Sequence, residues 1–517
     1  MQKLMRVCKR FVNTEEKFRD RSQWIKPIGH ETEVTVYNPI TRCKVPLILT
    51  TRNTLKWYMC GPTVYDSAHI GHATTYIKSD IIRRILTDHF NIDVLLVMGI
   101  TDIDDKIIKR SIENKQNFKT LSRHFEMEFL EDMNKLNVRK PYMCCRVTDY
   151  VPQIIHFVEK LIATGYGYVA ENGSVYFDTN KYNRYGKLSI PLPDTGHPYK
   201  KSALDFALWK VAKDNEPSWK CPWGHGRPGW HVECSVIASA VFGNSIDMHS
   251  GGIDLILPHH ENEEAQSCCY HGVEQWVNYW LHCGHLHLKG DVKMSKSLGN
   301  TVSIRDYLEK YSANHLRMVC LLSHYRNGLE FTEKINQNAV IVMKKIENFI
   351  SDCSTYAAGK LQTGEIDENL LLTTWQNTRD KVDSALADDF DTAQAMHAIL
   401  DLVKTGNKML HQGDIPSTGK INGNHVSIIA AVSNYVSSTL SKFGLSQSTS
   451  ASDRRVEDVV DHFLKFRTAV RTRALENPKN NVLLKECDNV REELSACGIL
   501  VKVQTLGTHI SVITNPT

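Results

Sequence analysis

The 517-residue sequence predicts a parallel-sheet α/β core with an inserted module, then a helical bundle and a small C-terminal α+β domain. Three observations carry that expectation. Leu55–Cys60 and Val94–Met98 are short apolar runs of strand character. Between them lie Gly61-Pro62 and a helical stretch from about His72 to Phe90, so the order is that of a βαβ unit. From about residue 335 the apolar period lengthens to that of helices, over Ala339–Ile350, Asn369–Leu386 and Ala387–Met409.

The remaining elements follow in chain order. Glu31–Thr51 is strand-like, with Asn38-Pro39 as a break. Residues 120–165 read as helical. Gly165–Lys201 is dense in Gly, Pro, Tyr and Asn and reads as a small inserted β module. Residues 204–300 return to alternating strand and helix. Residues 411–424 and 445–453 are polar linkers, and the last 60 residues hold two helices and a short β tail, Ile499–Ile513. In such a core, chemistry belongs at the C-terminal ends of the strands, where helix N-termini present free N–H groups.

Composition narrows the class. Hydrophobic residues make up 42% and charged residues 23%, which excludes wholesale disorder. The longest apolar run, Val94–Ile100, is far short of the roughly 20 residues of a membrane helix. Lys+Arg of 62 against Asp+Glu of 58 gives a net charge of +4, which neither announces nor excludes a nucleic-acid partner. The 14 cysteines are scattered without a CxxC pair, and Cys144–Cys145 and Cys268–Cys269 are adjacent. Reduced thiols are expected, with one or two as metal ligands. Residues 1–14 contain Lys3, Arg6, Lys9 and Arg10 and no acid, and their apolar residues fall on one helical side. A mitochondrial presequence needs such a basic amphipathic start, and an ordinary basic arm shares it.

Three motifs carry chemistry. His69-Ile70-Gly71-His72 sits where a strand turns into a helix, so two imidazoles and a helix N-terminus can stabilise charge on a phosphate. Gly71 lets a flat base or a phosphate approach the backbone. Lys293-Met294-Ser295-Lys296-Ser297 offers two lysines suited to a pyrophosphate. Pro258–Glu264 offers His259 with Glu263, or His260 with Glu264, at i,i+4 spacing on one helix face. The spacing does not choose between the pairs. Cys60 and Cys234 are candidate soft ligands, and two thiolates, an imidazole and a carboxylate suit Zn2+.

The first two motifs together resemble the class I aminoacyl-tRNA synthetases. The fuller set resembles the cysteinyl-tRNA synthetases in order over roughly residues 50–335: Cys60–His72, Thr101–Lys106, Pro228–Ser235, Ser250–Leu255, Pro258–Glu263 and Lys293–Asn300. The resemblance implies a Rossmann-type catalytic core at 31–150 and 222–270, with a connective module at 151–221. It further implies a lysine-loop and stem-contact region at 271–338, a helical tRNA-binding bundle at 339–445 and an anticodon-contacting domain at 446–517, after a targeting segment at 1–30. It assigns zinc to Cys60, Cys234, His259 and Glu263. ATP, as its Mg2+ complex, goes to His69, Gly71, His72, Asp254 and Lys296, with His69, His72, Lys293 and Lys296 catalytic. Substrate cysteine goes to Gly61, Thr101, Trp230 and His259, with Thr63 close by.

The implied reaction joins L-cysteine to ATP and then to the cysteine-accepting tRNA. Zinc fits this substrate, because an apolar pocket gains only about 1–3 kcal/mol from so small a difference as sulfur against oxygen. A soft cation binds a thiolate that serine does not imitate. The family pattern also implies a second activity, cysteine persulfide synthesis with pyridoxal phosphate on the lysines of Lys106–Lys109 and Lys293–Lys296. Two rivals are a ligase joining cysteine to a sugar amine, and a non-catalytic RNA-binding paralogue. Residues 445–517 oppose the first, and intact His69, His72, Lys293 and Lys296 oppose the second. Gly99 departs from the asparagine of many bacterial relatives, and Met98-Gly99-Ile100-Thr101 is closer to the mitochondrial branch. The mitochondrial matrix is therefore the expected location, with the cytoplasm as the alternative, and a monomer the expected state. In the C-terminal part, the segment Phe463–Arg473 with Lys465, Arg467, Arg471 and Arg473 is basic, and Glu486–Thr508 resembles the anticodon module.

Overall fold

The computed structural model describes residues 23–189, 198–288, 292–293, 301–361, 363, 366–411, 423–445, 463, 466–476 and 479–496. Of the expectations above, the segment 1–22, Lys296, Lys465 and the tail from 499 lie outside these residues. The backbone of Lys293 is described but its side chain is not. No helix among the described residues is long and apolar enough to cross a membrane.

Two compact units form: residues 1–332 with 386–391, and residues 333–385 with 392–517. The first opens with an antiparallel pair, β1 (His30–Asn38) and β2 (Cys43–Leu49). The core strands are β3 (Thr54–Thr63), β4 (Asp93–Thr101) and β5 (Met143–Arg146). Between β3 and β4 runs α1 (Ile70–Arg84), and between β4 and β5 run α2 (Asp105–Glu113) and α3 (Phe118–Lys135). The chain then leaves the core through α4 (Val151–Ala163).

The excursion builds a second sheet from β6 (Gly167–Val169), β7 (Val175–Phe177), β8 (Phe206–Val211), β9 (Trp219–Cys221) and β10 (Gly224–Pro228). α5 (Trp230–Phe242) returns to the core, where β11 (Ile246–Gly252), α6 (Glu261–His271) and β12 (Val277–Cys283) complete it. The core sheet runs β12-β11-β3-β4-β5, and each neighbouring pair is parallel. From β3 the chain steps outward to β4 and β5, then outward on the other side to β11 and β12. The order therefore reverses between β3 and β11, and their C-terminal ends, Cys60–Thr63 and Ser250–Gly252, flank the crevice where such sheets bind ligands.

Three details depart from the sequence expectation. The 120–165 stretch is not continuous helix, because Met143–Arg146 forms an edge strand beside β4; four residues are too few to register as a period. The inserted sheet does not close at 201 or 221, since Gly224–Pro228 pairs with β8 and β9. Val277–Cys283, within the segment assigned to the lysine loop, is a strand of the core sheet.

Past β12 come β13 (Leu286–Leu288) and β14 (Val292–Lys293), antiparallel, then α7 (Ile304–Lys310), α8 (Ala313–Leu321) and β15 (Leu329–Glu330), parallel to β13. The second unit is helical: α9 (Glu333–Ala357), α10 (Glu368–Ala387, its last two residues in the first unit), α11 (Thr392–His411), α12 (Gly423–Lys442) and α13 (Asn481–Ala496). α9 packs against α11 and α12. A Cβ at Gly406 would lie 2.5 Å from the Phe349 ring, so glycine sets how closely α11 approaches α9. Of the basic residues predicted near the C-terminus, Arg467 is buried and donates to the Cys487 carbonyl at 2.7 Å, and Arg471 pairs with Asp488 at 3.2 Å. These two arginines hold helices together rather than forming a solvated basic face.

Candidate active site and metal centre

One cleft of about 310 Å³ opens at the β3/β11 reversal. Its lining includes Cys60, Gly61, Thr63, His69, Gly71, His72, Thr101, Trp230, Cys234, Asp254 and His259. Residues drawn from widely separated motifs thus meet at the strand ends.

At the mouth, His69 is the extended residue before α1, and its ring stacks on that of His72 with centroids 3.8 Å apart. Both imidazoles therefore sit at the N-terminus of a helix, where anionic charge is favoured. The backbone past the lysine motif joins the same point, since Ile70 N–H donates to Val302 O at 3.0 Å. Across the cleft, Asp254 Oδ1 lies 3.1 Å from His285 Nε2. Gly61 is required by close packing: a Cβ there would be 2.0 Å from Gly99 O. Gly99 is explained too, because a Cβ would be 2.2 Å from Tyr58 Oη. The tyrosine hydroxyl occupies the space an asparagine side chain would need.

At the floor, β3 delivers Cys60, α5 delivers Cys234, the helical turn Ile256–His260 delivers His259 and the start of α6 delivers Glu263. The two sulfurs are 3.8 Å apart, Cys60 Sγ lies 3.8 Å from Glu263 Oε1, and His259 Nε2 lies 3.0 Å from the same oxygen. The donor atoms of these four buried residues all lie within 4.8 Å of one another. A second set, Cys60, His249, His260 and Glu263, meets the same limit. Only the first set adds residues that face the cleft beyond the shared Cys60, because Cys234 and His259 line it and His249 and His260 do not.

The i,i+4 ambiguity is resolved on the Glu264 side. Its carboxylate faces away, accepting from the buried Lys187 ammonium at 2.9 Å and from Trp276 N–H at 3.3 Å. His260 stays close, with Nε2 3.5 Å from Cys60 Sγ and Nδ1 2.7 Å from His282 Nε2. His249 Nε2 lies 2.9 Å from Glu263 Oε2, so Glu263 is held from both sides.

Electrostatics divides the cluster. Burial opposes a charge on Glu263, yet His249 and His259 beside it hold its carboxyl down to about 2. Burial likewise opposes the His259 imidazolium, but Glu263 and Cys234 outweigh it and raise that ring to about 10. The hydrogen bond from Cys60 draws the Cys234 thiol down to about 6 against burial, whereas burial and the neighbouring Cys234 push the Cys60 thiol well up. Burial and His249 depress His260 and His282, the latter to about 3, so both act as neutral rings. A charged thiolate, an imidazolium and a carboxylate sharing a small buried volume form the donor chemistry that a divalent cation replaces protons in.

Sequence reasoning missed several of these neighbours. His249 lies mid-strand in β11, His282 in β12, and His231, whose Nδ1 is 3.0 Å from His259 Nδ1, follows Trp230. A strand histidine on a buried face has no spacing signature. Glu233 is also present, accepting from Thr101 Oγ1 at 3.2 Å. Trp230 is 38% exposed, with its ring centroid 4.3 Å from that of His259, so it stands as a wall and not as packed core. Lys106 lines the cleft, whereas the Lys109 side chain is exposed and pairs with Glu113 at 3.9 Å.

The inserted module braces this floor. Glu261 accepts from the backbone N–H groups of Gly186, Lys187 and Leu188 at 2.7, 3.1 and 2.7 Å. Tyr185 Oη donates to Asn262 Oδ1 at 2.5 Å. α6 thus turns Glu263 toward Cys60 and His259 beneath the cleft, and Glu261, Asn262 and Glu264 toward the module.

Comparison with known proteins places this geometry in a family. Residues 47–340 match the model of the tRNA synthetases class I (C) catalytic domain. The Xenopus tropicalis protein named "Probable cysteine--tRNA ligase, mitochondrial" is 43% identical over 518 residues, covering 93% of this chain and 89% of that one. A cytoplasmic cysteine–tRNA ligase of Dictyostelium discoideum is 40% identical over 513 residues, covering 91% of this chain and 76% of that one. Among solved structures, methionyl-tRNA synthetase of Mycobacterium tuberculosis in complex with methionyl-adenylate aligns at TM-score 0.55 and 16% identity, over 74% of this chain and 88% of that one. The Agrobacterium radiobacter K84 LeuRS–tRNA–LeuAMS complex aligns at 0.56 and 10%, over 76% and 84%. At those identities the last two speak for the fold alone.

Proposed function

The chain belongs to the cysteine–tRNA ligase family of class I aminoacyl-tRNA synthetases, and from that premise we propose how its residues divide the work. The protein is an ATP-dependent ligase that joins L-cysteine to tRNA. The first step forms cysteinyl-adenylate and pyrophosphate; the second transfers cysteine to the 3′ end of the cysteine-accepting tRNA.

In our reading Cys60, Cys234, His259 and Glu263 hold Zn2+, and the observation that carries it is their convergence within 4.8 Å beneath the cleft. Zinc, when bound there, supplies a soft Lewis acid for the substrate thiolate. His249 orients Glu263 and His231 orients His259, as outer partners of metal ligands commonly do. Gly61 and Thr101 receive the backbone end of cysteine, and Trp230 shields it from water. Thr101 spends its hydroxyl proton on Glu233, which leaves an oxygen lone pair to accept from the substrate ammonium.

His69 and His72 stabilise the charge that develops at the α-phosphorus as the cysteine carboxylate attacks, Gly71 admits the nucleotide, and Asp254 takes the ribose. Lys293 and Lys296 contact the phosphates in the same assignment, and Mg2+ accompanies ATP. The decisive experiment is cysteine-dependent ATP–pyrophosphate exchange with and without a chelator. Exchange abolished by the chelator and restored by zinc is expected; serine exchanging at comparable efficiency overturns the assignment.

We further place the protein in the mitochondrial matrix. The acid-free basic start of the sequence and the word mitochondrial in the name of the Xenopus relative support this; the Dictyostelium relative, named cytoplasmic, marks the alternative. Fusion of residues 1–30 to a fluorescent reporter tests it, and diffuse cytosolic signal rejects it.

A further inference from the structure

Behind the cleft, Lys78 on α1 is only 2% exposed. Among the described residues it has no carboxylate partner; its ammonium donates instead to three backbone carbonyls, those of Gly284 at 3.0 Å, Tyr325 at 3.1 Å and Asn327 at 3.1 Å. Lys187, the second buried lysine among the described residues, has Glu264. Three hydrogen bonds are the full complement of an ammonium, which is what makes its burial tolerable. The converse holds as well. Three carbonyl dipoles pointed at one spot repel one another, and the cation lets them converge.

The carbonyls belong to two segments that meet closely. Gly284 N–H donates to Tyr325 O at 3.0 Å, and a Cβ at Gly284 would be 2.3 Å from Asn327 O. The residues immediately after Gly284 are His285 and Leu286, which line the cleft, and His285 Nε2 lies 3.1 Å from Asp254 Oδ1. Lys78 itself stands on the helix that His69 caps and whose first turn carries His72. The cleft therefore has two walls, one on α1 and one after β12, and Lys78 ties them together from behind. Asp80, two residues further along α1, makes a separate tie, accepting from Arg317 of α8 at 2.7 Å.

We propose that Lys78 is a positioning residue for the nucleotide: it sets the spacing between the His69/His72 wall and the His285/Asp254 wall. The inference rests on the ATP reading of the cleft. The test compares wild-type protein with Lys78→Met, which keeps the stem and removes all donors, and Lys78→Gln, which keeps two N–H donors without the charge. ATP affinity is measured by calorimetry without amino acid, and KM for cysteine by pyrophosphate exchange per titrated active site.

The expected result is an ATP dissociation constant raised about tenfold in Lys78→Met and about threefold in Lys78→Gln, since small misplacements of binding groups are costly. KM for cysteine is expected to stay within twofold, because the floor at Cys60 and Cys234 is held by other elements. ATP affinity within twofold of wild type in Lys78→Gln overturns the proposal, as does a cysteine KM that rises in step with the ATP constant. Should Lys78→Met not fold, Lys78→Gln carries the test alone. Wild-type protein that binds no ATP sinks the ATP reading and this proposal together; wild-type binding with unaltered Lys78→Gln binding sinks the proposal alone.

Discussion

The sulfurs of Cys60 and Cys234, 174 positions apart in sequence, lie 3.8 Å from each other. One comes from the end of a core strand and the other from the first turns of the helix that returns from the inserted module. Cys234→Ser should therefore lose both bound metal and selectivity. We expect metal content below one-tenth equivalent and kcat/KM for cysteine reduced at least about 100-fold, or roughly 2.7 kcal/mol. Elemental analysis together with pyrophosphate exchange checks this, and full metal occupancy in the variant would reject Cys234 as a ligand.

The stacked pair His69 and His72 lines the cleft at the start of α1, where the proposed function puts the phosphates. Replacing His72 by Ala is expected to lower kcat for adenylate formation about 100-fold, the size of effect seen when a transition-state charge donor is removed. KM for cysteine should change little, because the floor is untouched. Steady-state exchange with each substrate varied in turn separates the two.

Lys187 and Glu264 form a buried pair, with side chains 2% and 0% exposed. Lys187→Met alone leaves a buried carboxylate unpaired and should destabilise the fold by about 3–5 kcal/mol. The double variant Lys187→Met/Glu264→Met should recover most of that loss. Urea denaturation of the single and double variants measures the coupling, and additive losses would show that the pair is not the brace described here.

Gly61 sits with its Cα against the Gly99 carbonyl, where a Cβ would come within 2.0 Å. Gly61→Ala forces β3 and β4 apart at the cleft. A stability loss of about 1–3 kcal/mol is expected, as for other overpacked sites, along with a raised KM for cysteine. Thermal melting and exchange kinetics read both, and an unchanged melting temperature would contradict the packing argument.

Much of this molecule is legible as text, for a physical reason. His69–His72 and Pro258–Glu263 are each contiguous, and each lies on one turn or helix start, so local geometry alone places their side chains together. The βαβ order of Leu55–Met98 and the helical period beyond residue 335 are likewise local. Met143–Arg146 and Gly224–Pro228 are not legible in this way, because strands that short declare themselves only through their partners.

The choice within Pro258–Glu264 could not be made locally, since i,i+4 spacing serves His259 with Glu263 and His260 with Glu264 equally. Tertiary structure removed Glu264 from the choice by supplying Lys187 from the inserted module, whose buried ammonium takes that carboxylate. It also brought in His249 and Lys78, whose positions in a strand and a helix carry no pattern of their own. Covalent spacing determines which groups share a turn; which of them share a charge is decided by what the rest of the chain packs against them.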